Sequence, residues 1–220
     1  MSTTIEPDSL SRLLTRERLR SYLSATGGDL SAALRLYDWN IRASASVMAT
    51  VAMVEVVVRN AIDVQLLAWA RRRGEDSWFE ILPVETRGAA DLDRALIAVE
   101  RRGVCAGFHD QVVAELTLGF WRYLVAQRYL TSLWVPALNK AFPLGYRDLR
   151  ERRRGVEAHL SRLTYVRNRA AHHEPIHRRD LRTDLRSAVE LATWVNADAG
   201  EWVATRSPLE SVLMRRPRPR

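Results

Sequence analysis

The sequence predicts an all-α protein, an irregular bundle built on two long helices, and three observations predict it. No proline or glycine interrupts the chain between Asp29 and Gly74, and within that run Val47, Val51, Val54, Val58 and Ile62 recur at steps of three and four, one helical stripe. A second amphipathic stretch restarts near Arg147 and carries on to Glu174, where Pro175 disfavours helix at the residue before it and ends the segment. Hairpin signatures, internal repeats and glycine-rich phosphate loops are missing from the sequence.

Taken in order, the first helix is read from Leu10, Leu13, Leu14, Leu19, Tyr22 and Leu23 at helical spacing, with Asp8 or Ser9 as its cap and Gly27-Gly28 as its stop. The second starts at Asp29 and continues to the arginines before Gly74, with Trp39-Asn40 as a candidate break point. Within it the segment VEVVV suits a strand by propensity, but the periodicity decides for helix. Ala89 to Arg102 follows as an amphipathic helix with Leu92, Leu96 and Val99 on one side and Gly103 as its close. Two shorter pieces come next, from Asp110 to Leu116 and within FWRYLVAQRYL, and then LWVPALNKAFP is punctuated by Pro136 and Pro143. The second long helix runs from near Arg147 to Glu174, a last helix from Asp180 through Trp194 packs back, and the arginine-proline tail is expected to be disordered. The expected boundaries are an N-terminal helix at 1–28, a helical domain at 29–206 and a basic tail at 207–220.

A chain of 220 residues can bury a core without covalent staples. Its single cysteine, Cys105, excludes a disulfide framework and a thiolate metal cluster. The opening MSTTIEPDSLSRLL is polar and acidic where a signal peptide would be basic and then apolar, and no uninterrupted apolar run approaches the roughly 20 residues of a membrane span, so a cytoplasmic protein is expected. The formal charge is +8, from 34 Lys+Arg against 26 Asp+Glu, and Lys140 is the one lysine. Arginine richness alone carries little weight, because coding bias produces it. Clusters say more: Arg71-Arg72-Arg73, Arg152-Arg153-Arg154, Arg178-Arg179 and RRPRPR at 215–220.

The stretch YVRNRAAHHEPIHRRDL, Tyr165 to Leu181, concentrates four arginines and three histidines around one Glu-Pro step. Arg167 and His172 stand in the pattern R-N-x-x-x-H. On a helix Asn168 and His172 share a face with Arg167 beside them, so the three can border one cleft. Arginine offers a permanent forked donor to phosphate oxygens, histidine moves a proton near neutral pH, and asparagine can orient either. Nearby carboxylates are confined to Glu174 and, further on, Asp180, too few to hold magnesium. That chemistry suits metal-free cleavage of RNA, whose own 2′-hydroxyl attacks the neighbouring phosphate, and DNA has no such group. On the other long helix Glu55 and Arg59 form an i, i+4 pair beside Asn60, with Asp63 continuing the face. They are either a solvated salt bridge or a support for the histidine or arginine, if that helix packs against the one bearing Arg167.

At these residues the chain resembles the Abi-like (abortive infection) proteins of the HEPN superfamily. LYDWNIRASA, VEVVVRNAID, LTLGFWRYLVAQRYLTSLWVPALNKAFP and VRNRAAHHEPIHRRDL look like the family's successive blocks in order, and they span roughly residues 34 to 181. The resemblance implies a HEPN-type helical bundle, a homodimer that sets two motifs face to face in a composite cleft, and a metal-independent endoribonuclease of phage defence or a toxin–antitoxin module, with no cofactor. It implies Arg167 and His172 as the catalytic pair, Asn168 as the polar residue after the arginine, and His173 as an alternative to His172 through a longer spacer. Glu55, Arg59 and Asn60 become support on the neighbouring helix, and Arg169, Arg178 and Arg179 become contacts to RNA. An antitoxin or regulatory noncoding RNA is the implied partner besides the substrate, since several relatives are toxins held in check.

Other readings stand beside these. The basic surface could hold a structured RNA without cutting it, which makes the chain a noncatalytic RNA-binding regulator. His172 and His173 could serve only as helix-end cations beside Pro175, or with His177 as metal ligands lacking a completing acid or cysteine. His109 and His159 read as ordinary core or surface histidines, and the aromatic run Phe120, Trp121, Tyr123, Tyr129, Trp134 reads as core rather than a base-stacking platform.

Overall fold

The computed structural model describes residues 6–103 and 106–217; Cys105 and the last three positions of the basic tail lie outside the described residues. The described chain is all-α, without a strand. Its helices are α1 (Pro7–Leu14), α2 (Arg16–Ala25), α3 (Leu30–Arg71), α4 (Thr86–Arg101), α5 (Phe108–Glu115), α6 (Leu118–Leu124), α7 (Leu149–Ala171), α8 (Leu181–Val195), α9 (Ala197–Arg206) and α10 (Leu209–Met214). Between α6 and α7 come two short 3₁₀ turns and a π turn over Leu130–Trp134. The two long helices are α3 and α7, as expected. The chain divides into two compact units, one of residues 1–50, 166–185 and 207–220, the other of residues 51–165 and 186–206. The first unit thus takes its residues from both ends of the sequence, α1, α2 and α10 among them.

In the first unit the expected single N-terminal helix is two. Thr15 takes φ 66 between α1 and α2, a strained value for a β-branched residue, and its hydroxyl caps α2 by accepting from Arg18 N at 3.3 Å. The stop at Gly27-Gly28 is as expected, with both glycines at positive φ. Asp29 Oδ1 accepts from Ala32 N at 2.9 Å, and α3 then runs through Trp39-Asn40 without the candidate break. Those two residues are tertiary anchors instead. Trp39 Nε1 donates to Val212 O at 2.8 Å, and Asn40 Oδ1 accepts from Ile176 N at 2.8 Å. The basic tail begins folded, contrary to expectation: α10 precedes it, Thr50 and Ser207 hydroxyls meet at 2.7 Å, and Arg216 donates to His177 O at 2.7 Å while lying over the Trp39 ring. Its apolar anchors explain the order, since Leu209 is buried.

The second unit is built on the other half of α3. The stripe Val51, Val54, Val58 and Ile62 is fully buried, as is Val47 in the first unit, and each such side chain contributes about 1.5–3 kcal/mol over its exposed state. Helix α3 is long and apolar enough to cross a membrane by length and composition, which the sequence reading did not register. The aromatic run is core: Phe120, Trp121, Tyr129 and Trp134 are buried, and Trp78 packs edge-on to Trp121. The middle arginine of the 152–154 triplet is not a solvated charge, because Arg153 is 3% exposed and donates to Val125 O at 2.9 Å and to Glu157 at 2.5 Å. Gly155 is required by contact, since a Cβ there would stand 2.4 Å from the Trp194 ring. His159 is half-buried, bonded to Ser187 Oγ at 2.7 Å, and burial holds its pKa below the ordinary histidine value.

Candidate functional site

The motif residues sit where α7 stops, and they stop it. The helix ends at Ala171 rather than Glu174. Glu174 N reaches back to Arg169 O at 2.8 Å and His173 N to Ala170 O at 3.1 Å, the paired bonds of a Schellman motif, with His173 at φ 57 in the left-handed position that glycine usually takes. Pro175 cannot continue the helix, as expected from sequence. His172 is the last half-helical residue. Its N still donates to Asn168 O at 2.9 Å, which keeps Asn168 and His172 one turn apart along the same face. Arg167 is half-buried and donates to the Asn168 side-chain oxygen at 3.3 Å, while Asn168, His172 and His173 are exposed. Neither imidazole makes a side-chain hydrogen bond among the described residues.

Arg18 of α2 holds this end of α7. Its guanidinium donates to the carbonyl of His173 and lies 5.9 Å from the Tyr37 ring centroid. A groove of about 700 Å³ opens alongside, lined by Arg18, Tyr37, Ile41, Met48, Ala171 and His173 among others. The remaining basic residues of the stretch are engaged inside the fold. Arg169 donates to Pro175 O at 2.9 Å and pairs with Glu174 at 3.3 Å. Arg178 reaches Ser24 Oγ at 3.2 Å. Arg179 closes both arms of its fork on Asp184, at 2.5 and 2.7 Å, and Asp184 is 2% exposed. His177 is buried: its ring lies 4.7 Å from that of Tyr22 and its Nε2 meets Ser21 Oγ at 3.1 Å. Burial, with Arg178 and Arg216 adding repulsion, lowers its pKa to about 4. Tyr22, also desolvated, is pushed up to about 12.

The supporting set expected on α3 belongs to the second unit. There Arg59 donates to Ala114 O at 3.5 Å and to Asn60 Oδ1 at 3.4 Å, while Glu55 is half-buried. Asp63 does not continue a solvated face. It is buried and accepts from Trp78 Nε1 at 2.7 Å and meets His109 Nε2 at 2.8 Å, and the His109 ring stacks on Phe79 at 4.8 Å. The spacing of Glu55, Arg59 and Asp63 could not report this, because at about 100° per residue Asp63 turns away from the Val51–Ile62 stripe, and its partners Trp78 and His109 come from elsewhere in the sequence.

Sequence reasoning missed Arg18 and Asn40, the two residues that tie the Tyr165–Leu181 stretch down. A polar side chain in the middle of an apolar helix was the available signal for Asn40, since buried amides find partners. Nothing local marks Arg18 among its arginine neighbours. Comparison of the chain with protein-family models gives no match, and comparison with curated proteins and with solved structures gives no significant match.

Proposed function

We propose that the chain is a HEPN-type, metal-independent endoribonuclease of the Abi-like kind, a cytoplasmic abortive-infection or toxin–antitoxin effector that works as a homodimer on RNA. The observation that carries the reading is the end of α7: a half-buried Arg167 bonded to Asn168, and one turn further on an exposed imidazole at His172 whose ring is uncommitted. In the proposed step the ribose 2′-oxygen bonds to phosphorus as the bond from phosphorus to the 5′-oxygen breaks. His172, or His173 beside it, takes the 2′-hydroxyl proton and its protonated form gives one to the departing 5′-oxygen. Arg167 neutralises the charge that builds on the nonbridging oxygens. The products are a 2′,3′-cyclic phosphate and a 5′-hydroxyl.

Purified dimer is expected to cut single-stranded RNA in EDTA and to leave those ends. Loss of one general acid or base costs about 10² to 10⁴ in rate, so full activity in a folded His172→Ala protein removes His172 from the reaction. If the cleft is shared between subunits, specific activity also falls on dilution.

A second reading is favoured by the same backbone. His172 and His173 terminate α7, which is a structural task, and a noncatalytic regulator that holds a structured RNA needs them for nothing else. In that case His172→Ala lowers the melting temperature while RNA affinity and its salt dependence stay as they were.

A further inference from the structure

We propose that the second unit carries an anion site of its own, suited to a phosphate group, in the depression between the start of α4 and the end of α6. The depression measures about 490 Å³ and is lined by Glu85, Thr86, Arg87, Arg122, Tyr123 and Arg128 among others, with Glu157 at its edge. Its acids are already neutralised. Arg128 is ion-paired with Glu85, and Arg153, buried beneath, pairs with Glu157 at 2.5 Å. Four arginines against two carboxylates leave two positive charges, those of Arg87 and Arg122, and neither of these makes a hydrogen bond or ion pair among the described residues.

Arg122 is half-buried, and its Nε is shut off from solvent without an acceptor, as is Nε of Arg153. Arg122 therefore keeps its stem and Nε enclosed and offers its terminal guanidinium nitrogens, which have no partner among the described residues, at the wall of the depression. The backbone contributes in the same direction. Helix α4 begins after Glu85, whose carboxylate is turned to Arg128 and makes no cap bond, so no side chain caps its first amides where Thr86 and Arg87 line the depression. Gly88 makes the approach close: a Cβ there would lie 2.7 Å from the Tyr123 ring and 2.9 Å from Val84. Two guanidinium forks plus helix-start amides offer more donors than a carboxylate can accept, whereas a phosphate has an oxygen for each. The site uses no residue of the α7 motif and holds whether or not that motif cuts RNA. The phosphate could be a monoester, such as that of a free mononucleotide, or a diester within a strand.

The test is calorimetry on the full chain with two probes, inorganic phosphate and a single-stranded hexadeoxynucleotide without terminal phosphates, which the 2′-hydroxyl chemistry cannot cut. Each is titrated into wild type, Arg122→Gln, Arg87→Gln and Arg71→Gln. Arg71 is exposed at the end of α3 and controls for the loss of one charge. Losing a charge-assisted contact at the site weakens binding by about tenfold or more in Arg122→Gln and Arg87→Gln. The control stays within about twofold of wild type, as for a screened surface charge. A loss seen with inorganic phosphate identifies a monoester site. A loss seen only with the oligonucleotide, together with a salt slope lower by about 0.7, identifies a diester contact. Absence of binding by both probes, or equal affinities in all three variants, overturns the proposal. Arg87 is exposed in the first turn of α4, so Arg87→Gln decides the matter should Arg122→Gln fail to fold.

Discussion

Helices α3 and α7 end in the same hydrogen-bond pattern and differ in the residue that makes the turn. At the end of α3, Glu75 N bonds back to Ala70 O at 3.2 Å and Gly74 N to Arg71 O at 3.1 Å, with Gly74 at φ 82. At the end of α7 the same two bonds close around His173 at φ 57. A left-handed conformation costs a residue with a Cβ roughly 1–2 kcal/mol, and glycine none of it. The chain uses glycine at this position after α2 and α3 and a histidine after α7, directly behind the exposed imidazole of His172. Backbone strain of this sort gathers at functional sites. Substitution at the two helix ends separates a residue kept for its side chain from one kept for its backbone.

The largest difference is expected between the residues just before each turn, His172 and Arg73. His172→Ala lowers the RNA cleavage rate by about 10² to 10⁴, whereas Arg73→Ala, which removes a cation lying 4.1 Å over the Trp69 ring, leaves the rate within about twofold. Equal losses in a cleavage assay at matched protein concentration would break the comparison.

Next in size are the turn residues themselves. Gly74→Ala has free space for its Cβ and meets only the backbone penalty, so urea unfolding should show a loss of about 1–2 kcal/mol. His173→Gly should move the other way, by roughly 0.5–1 kcal/mol, because relief of strain is offset in part by the entropy of a freer unfolded chain. If His173 takes part in the reaction, this more stable protein is also a slower enzyme. A stabilised variant with undiminished cleavage would return the strain to a purely structural account.

The comparison also shows what the sequence could and could not say. Pro175 and Gly74 mark both helix ends locally, and the valine stripe marks the buried face of α3, because steric and periodic signals act within a few residues. The helix reading ran to Glu174 because proline restricts only the residue before it, while the true end depends on His173 accepting a left-handed turn. The anchoring of α2 by Arg18, the unbroken passage through Trp39-Asn40 and the folded start of the tail all involve bonds to distant partners: His173 O for Arg18, Val212 O and Ile176 N for Trp39 and Asn40, and His177 O for Arg216. No local rule contains those partners. The arginines read as RNA contacts make a related point, since Arg179 and Arg169 also find acceptors within the fold that the sequence does not place near them.

A smaller contrast within the α7 end sets its exposed histidines against His177, which is 1% exposed. Burial first, and then the neighbouring Arg178 and Arg216, depress the folded pKa of His177 to about 4, below the unfolded value of 6.5. Tyr22, which packs on the ring, remains neutral throughout this range, and Ser21 supplies an uncharged partner. Between the two values the unfolded chain holds a proton that the folded chain refuses, so stability rises with pH across that window. The contribution is whole above pH 6.5 and is lost as pH falls toward 4. Urea midpoints measured from pH 7 down to pH 4.5 should therefore decline, and His177→Gln should flatten the decline while leaving a residue of the same sign from His159, whose pKa is also lowered by burial. An unchanged slope in His177→Gln would mean that the ring is protonated in place, with water or a shifted Arg216 taking up the charge beside it.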